Sequence, residues 1–398
     1  MIKIMYNNSV WSENMENIKT KKIYSLETLI FVIVFFGIFG YLSNEMGLAN
    51  MMNTMMNTAY QLLLDTVFYI MAISVLAGAI GALFSEFGVI AILNSLLSPL
   101  MKPLFGLPGA SAMGVMATFL SDNPAILALA EDVSFRRYFK KYQLPALTNL
   151  GTGFGMGLII LTFMIGLVSP SGESFVGPAL IGVLGASIGS LISVRIMLIF
   201  TKKEFGTEEE AYTGKDKSTV VENQRIIREG SIMNRVMNSL LDGGKQGVNL
   251  GLEIIPGVLI ICTLVMMFTN TTATGVYTGA AYEGVGLLPY LGSKINFILE
   301  PLFGFTSAEC IAVPITALGA AGAAIGLIPS LVMKGLATGN DIAVFTAMCM
   351  CFSGYLSTHV AMMSVLKFPK LTGKSILSHT IGGLCAGISA HLIYVLLF

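Results

Sequence analysis

The chain has 398 residues, 54% of them hydrophobic and only 12% charged, and its 23 basic and 23 acidic side chains leave a net charge of zero. Soluble domains carry about 25% charged residues, so this balance excludes an ordinary soluble protein, and it offers no positive surface to a nucleic acid. Apolar runs near the ~20 residues that cross hydrocarbon recur along the whole length, without the period-two alternation of a barrel, which predicts an all-α polytopic membrane protein.

Residues 1–23 form a polar tail containing Lys3, Lys19, Lys21 and Lys22, followed by a first apolar segment over 24–44. No small-x-small cleavage pattern follows it, so it reads as a retained helix with a cytoplasmic N-terminus. Further spans are expected at 64–86, 144–168, 175–200, 246–268, 341–366 and 376–398, separated by less regular apolar stretches at 88–138 and 283–336. Met51, Met52, Met55 and Met56 fit an external interfacial helix better than a soft-metal site. Segment 201–245 holds eight Lys/Arg and eight Asp/Glu, which is too many to bury, and reads as a cytoplasmic loop with some helix. If 88–138 and 283–336 each return to the face they left, every Lys and Arg except Lys294 and Lys334 falls on the cytoplasmic side. The connections 45–63, 169–174 and 269–282 then lie outside and contain none, as the positive-inside rule requires.

Pro-Leu-Phe-Gly occurs at 103–106 and again at 301–304. The same register pairs Gly88 with Gly286, Ser95 with Ser293, Thr148 with Thr346 and Phe154 with Phe352. This divides the chain into repeat 1 (59–200) and repeat 2 (246–398). In the layout set by the charges the two repeats lie in opposite senses. Inverted-topology repeats are the pattern of alternating-access transporters, whose site lies at the repeat interface near the midplane.

In repeat 1, Ser121, Asp122, Asn123 and Pro124 interrupt an apolar run. Proline removes a donor and disfavours helical geometry at the residue before it. A helix rising from Pro108 to Ser121 gains roughly 20 Å, so 108–138 reads as a re-entrant hairpin with Ser121, Asp122 and Asn123 at its tip. The alternative is a kinked helix whose Asp-Asn pair caps its second half. As an intramembrane acid, Asp122 is a candidate solute ligand and ion-coupling group. A second hairpin, 306–336, would turn in Gly-Ala-Ala-Gly at 319–322. Glycine-broken helices follow each hairpin, at 148–157 and 346–359, where Thr148, Asn149, Thr152, Ser353 and Thr358 are the polar groups available to line a site. Close helix packing explains such glycines equally well. Glu309, at the start of the second hairpin, is either a helix-end anion or a cation ligand. His359 is a candidate proton-relay residue.

The five cysteines lack the spacing of a zinc pair and read as small packing residues; no metal site and no cofactor is expected. With no nucleophile-plus-base motif, phosphate loop or H-E-x-x-H, an enzyme finds no support.

Residues 92–132 resemble the Gate, or nucleoside-recognition, domain of bacterial membrane proteins. The likeness lies in an amphipathic helix, a Pro-Leu…Gly-Leu-Pro-Gly turn and a Gly/Ser-rich hairpin. That domain is shared by spore maturation proteins, ferrous-iron transporter gates and, more distantly, concentrative nucleoside transporters. Two copies cover about 300 residues here; the second lacks the Ser-Asp-Asn-Pro tip. The resemblance implies a multi-pass protein of the bacterial cytoplasmic membrane. The expected function is secondary transport of a small polar organic solute, nucleoside-like or a small carboxylate, coupled to Na⁺ or H⁺ through Asp122, Glu309 or His359. The rival expectation is a non-transporting Gate subunit that assembles with itself or with partner membrane proteins in a process such as sporulation.

Overall fold

A computed structural model describes residues 24–211 except 124 and 132, and 227–398 except 273 and 274. The tail 1–23, Pro124 and residues 212–226 of the polar loop lie outside the described residues. The structure is helical, and its one β feature among the described residues is an isolated bridge between Lys140 and Glu210.

Helix α1 (Leu26–Met46) is capped by the Ser25 hydroxyl, which accepts from the Thr28 amide. Gly47, at φ +77°, turns the chain into α2 (Leu48–Gln61). No boundary separates α2 from α3 (Phe68–Glu86): a π-helical turn at Leu62–Val67 joins them into one 39-residue helix. The span expected at 64–86 therefore lies within a helix that begins at Leu48, and the methionine cluster belongs to the first part of that helix. Met46 and Met51 pack with Leu42 and Met267 in a small buried cluster.

The first hairpin region follows. Helix α4 (Val89–Phe105) starts and stops at left-handed glycines, Gly88 and Gly106. It exposes Ile92, Leu96, Leu100 and Leu104, a four-residue spacing that aligns them on one face. Pro103 and Leu104 leave their carbonyls free at its end, and Arg195 donates to both. Helices α5 (Ser111–Leu120), α6 (Ala125–Glu131) and α7 (Val133–Arg136) form the hairpin, with the α5 backbone at Gly114 tight against Ile126. Then come α8 (Ala146–Thr152), α9 (Gly157–Gly166) and α10 (Val176–Phe205).

The same order of elements occurs again. Helix α11 (Ile232–Gly257) passes through a second π-helical turn, Val258–Cys262, into α12 (Thr263–Thr269). Helices α13 (Leu287–Lys294) and α14 (Asn296–Phe303) are bounded by left-handed Gly286 and Gly304, at the positions equivalent to Gly88 and Gly106. Helices α15 (Ala312–Gly319) and α16 (Ala321–Met333) form the second hairpin, followed by α17 (Gly339–Phe352), α18 (Tyr355–Val365) and α19 (Thr372–Leu397). The span expected at 341–366 is thus two helices, broken at Ser353 and Gly354. The loop expected over 201–245 is helical from Ile232 onward.

Among the described residues six helices are long and apolar enough to cross a membrane, seven if the bent pair at 296–319 is counted as one span. The chain is a multi-pass membrane protein. Equivalent helices from the two halves pack against each other through glycine: α3 meets α11 where Gly78 faces Gly243 and Ser74 faces Gly247. Helix α10 meets α19 where Gly185 and Gly189 face Ala386, Ala390 and Gly382. A lipid environment gives helices no hydrophobic drive toward one another, so such close backbone contact supplies the attraction.

Candidate functional site

The site is built where both halves abandon regular helix. Helix α5 ends because the Ser121 hydroxyl bonds back to the Ala117 carbonyl at 2.7 Å while its backbone leaves the helical region, φ −129° and ψ −103°. Asp122 accepts from the Asn123 amide at 2.7 Å, and the carbonyls of Asp122 and Asn123 open α6 by accepting from Ala125 and Ile126. The Asp122 carboxylate thus holds the turn between α5 and α6 through its neighbour's amide, while backbone carbonyls open α6.

Asn123 is fully buried and reaches across to the other half, donating Nδ2 to the Ser353 carbonyl at 2.8 Å. The chain beyond α8 is broken as expected, Met156 standing at φ +53° before α9. Beyond α17, Ser353 and Gly354 stand at φ +25° and +67°. A serine held at positive φ stores strain that its surroundings must enforce. The enforcing contacts are the Asn123 amide and the Gly354 amide, which donates to the Ala317 carbonyl of the second hairpin at 3.0 Å. Gly155 completes the meeting point: a Cβ there would run into the Asn123 carboxamide and lie 2.9 Å from the Ser353 hydroxyl.

Around this point five buried polar atoms have no hydrogen-bond partner among the described residues: Asn123 Oδ1, Ser353 Oγ, Thr148 Oγ1, Ser190 Oγ and His359 Nε2. Each such atom costs ~1–3 kcal/mol when left unsatisfied. Structural polar groups are normally paired, so these unpaired ones make the region a candidate ligand site. Beside it runs a satisfied network. Asn149 donates to the Ser193 hydroxyl at 2.9 Å and the Ser375 carbonyl at 3.0 Å, and accepts from the Ser375 hydroxyl at 2.8 Å.

The structure thus joins Asn123 to Ser353 and places Asn149 in the Ser193–Ser375 network, with Thr148 buried one residue before it in α8. Thr152 is buried nearby, but its hydroxyl bonds back to the Thr148 carbonyl at 2.8 Å; Thr358 likewise bonds to the Gly354 carbonyl at 3.1 Å. Ser121 is half-buried and turned toward its own helix. Asp122 is half-buried. Glu309 stands apart, in the 3₁₀ turn Ala308–Ile311, in electrostatic reach of Lys334. His359 is buried against His379. Sequence reasoning missed Ser190, Ser193, Ser375 and His379. Their signal was a three- or four-residue spacing of single polar residues on otherwise apolar helices, which puts them on one face.

A cavity of about 460 Å³ reaches the first hairpin tip from the polar loop, lined by Gly81, Ser85, Leu120, Ser121, Arg228 and Gln246. Another, of about 480 Å³, opens near Asp65, Tyr69, Val168 and Tyr282. Among the described residues no three His, Cys, Asp or Glu side chains gather to hold a metal.

No family model and no curated protein matches the chain. Its fold is similar to solved structures of the concentrative nucleoside transporter CNTnw. A double variant of that protein in an outward-facing state aligns at TM-score 0.51 and 14% identity, covering 94% of this chain and 84% of that one. An inward-facing substrate-bound state aligns at TM-score 0.50 and 12% identity, covering 92% and 84%. At this identity the likeness is one of fold. The Gate-domain resemblance stands on its residues alone.

Proposed function

We propose that the chain is a secondary transporter of a small polar organic solute, nucleoside-like or a small carboxylate. It works by alternating access between two oppositely oriented repeats, with Na⁺ or H⁺ as the driving ion. The observation that carries this reading is the meeting of Asn123 with Ser353, a hairpin tip from one half against a helix break from the other. Broken helices at a repeat interface expose backbone and side-chain groups to a solute while intact neighbours hold the frame. The unpaired atoms there are mostly acceptors or hydroxyls, suited to the N–H and O–H groups of a polar solute.

Contacts between loops support the charge-based layout. Lys140 and Lys141 pair with Glu210 and Glu209, and Lys374 with Glu204, all in segments assigned to the cytoplasm. Asn57 bonds the Gly279 carbonyl and Lys334 reaches Asn270, all in segments assigned to the outside.

The test is uptake of labelled uridine and labelled succinate into proteoliposomes under imposed Na⁺ or proton gradients. Gradient-driven accumulation of one of them is expected, reduced about fivefold or more by Asn123→Ala, since leaving the buried Ser353 carbonyl without its donor costs about 1–3 kcal/mol. Accumulation that Asn123→Ala and Ser353→Ala leave untouched would move the site elsewhere, and none under either gradient counts against transport of these solute classes.

A further inference from the structure

Two of the three histidines, His359 on α18 and His379 on α19, are fully buried with ring centroids 4.7 Å apart. Their neighbours fix the protonation of each neutral ring. Nδ1 of His359 lies 3.0 Å from the Tyr355 carbonyl. A carbonyl can only accept, so Nδ1 carries the hydrogen and Nε2 is a bare lone-pair base. That Nε2 has no partner among the described residues. His379 is the reverse. Its Nε2 faces the Cys351 carbonyl at 2.5 Å and must donate, so its Nδ1 accepts from the Ser193 hydroxyl at 3.0 Å. Ser193 can aim its hydrogen there because its own acceptor role is filled by Asn149. One ring is satisfied at both nitrogens; the other holds an unused base.

We propose that the two histidines form a one-proton site, with Nε2 of His359 as the atom that takes the proton from water. Uptake there turns neutral imidazole into imidazolium and breaks no hydrogen bond. At His379 it would force the Ser193 hydroxyl to turn away, and a second proton would set two cations side by side. The groups facing His359 offer no anion. Its own helix contributes Tyr355, edge to face at 5.5 Å, and α19 contributes His379. Helix α17 contributes Cys351, whose thiol turns to the carbonyls of Gly153 and Ala186. Helices α8 and α15 carry no ionisable side chain, and Lys367 and Lys370, after α18, are exposed. An uncompensated buried cation is costly, so the proton is held when this region opens to water and released when it closes. Only its use in driving uptake rests on the transport reading.

The test is ¹⁵N NMR of the full chain, labelled at histidine and held in lipid nanodiscs, with signals assigned through His359→Asn, His379→Asn and His391→Asn. Opposite tautomers are expected at pH 8: hydrogen on Nδ1 of His359, and on Nε2 of His379. On acidification His359 should become imidazolium first, and His379 should stay neutral through at least a further tenfold rise in acidity. The opposite tautomer at His359, earlier or simultaneous protonation of His379, or a His359 silent down to pH 4 overturns the proposal. Asparagine at 359 can keep a donor toward Tyr355 without the base, so the His379 signals in that variant show whether the fold persists. A silent His359 beside gradient-driven uptake refutes the proton site alone; a titrating His359 without uptake refutes the transport reading alone.

Discussion

The two hairpins converge on one break in the chain, Ser353-Gly354, and approach it with different chemistry. The first brings a side chain: Asn123 donates to the Ser353 carbonyl at 2.8 Å. The second turns at a single extended residue, Ala320 (φ −160°, ψ 114°), and brings only backbone, the Ala317 carbonyl accepting from Gly354 at 3.0 Å. Gly354 is what allows that approach, since a Cβ there would sit 3.1 Å from the Gly319 carbonyl. Both halves place a helical hairpin at this point, but only the first carries polar side chains at its tip. Both hairpins reach the break, and the first alone reaches it with a side chain.

The sharpest way to break this comparison is to add one methyl to each side. Gly155→Ala places a methyl where the Asn123 carboxamide lies, an overpacking of about 1–3 kcal/mol that should displace Asn123 and abolish uptake. Gly319→Ala meets nothing nearer than Ile261 Cδ1 at 3.9 Å and should stay within about 0.5 kcal/mol of the parent. Thermal unfolding read with a thiol-reactive dye suits the measurement, because four of the five free cysteines are buried. Equal losses from the two substitutions would make the tips equivalent.

A smaller effect separates the cap from the charge in the first tip. Asp122→Asn can still accept from the Asn123 amide, so unfolding should be unchanged within about 0.5 kcal/mol. The Na⁺ or pH dependence of accumulation should shift. Unaltered affinity, rate and ion dependence would reduce Asp122 to a cap and pass the coupling role to Glu309.

The smallest effect concerns what precedes each hairpin region. Two residues, Phe87 and Gly88, link α3 to α4, whereas a long loop after α12 leads to α13 in the second half. That loop braces α2: Tyr282 donates its amide to Thr58, and Glu283 accepts from Thr54 and from Thr278 and Gly279. Burial raises the Glu283 carboxyl, but the hydrogen bonds from Thr278, Gly279 and Thr54 outweigh it and hold the group below the usual range. A depressed carboxylate stabilises the fold at neutral pH and loses that contribution as pH falls through its folded value, below about 4.3. Glu283→Gln should lower the unfolding midpoint at pH 7 by less than ~1 kcal/mol equivalent, this group being largely solvated, and the gap should close toward pH 3. A gap that widens in acid would mean that the brace does not depend on the charge.

What could be read in advance follows from how local each signal is. The breaks at 153–156 and 353–354 were legible because glycine advertises irregular backbone in its own residues. The Ser121–Asn123 turn was legible because the proline at 124 removes a donor and disfavours helix at the residue before it. The π-helical turns at Leu62–Val67 and Val258–Cys262 were not, because a wider turn of leucine, isoleucine and valine leaves no compositional mark. Nor could any local rule bring Asn123 to Ser353, or join Asn149 to Ser193 and Ser375, since those partners are set by how distant helices pack.

The glycine seams between counterpart helices carry a consequence for how this chain can change. Where Gly78 faces Gly243, and Gly189 faces Gly382, the smallest residue is already in use on both sides. Every substitution there adds bulk, and no second substitution across the seam can remove any. Mutation is one-directional at these positions: an enlargement in one half finds no compensating reduction in the other. The seams therefore act as fixed points that change elsewhere in either half must leave as they are.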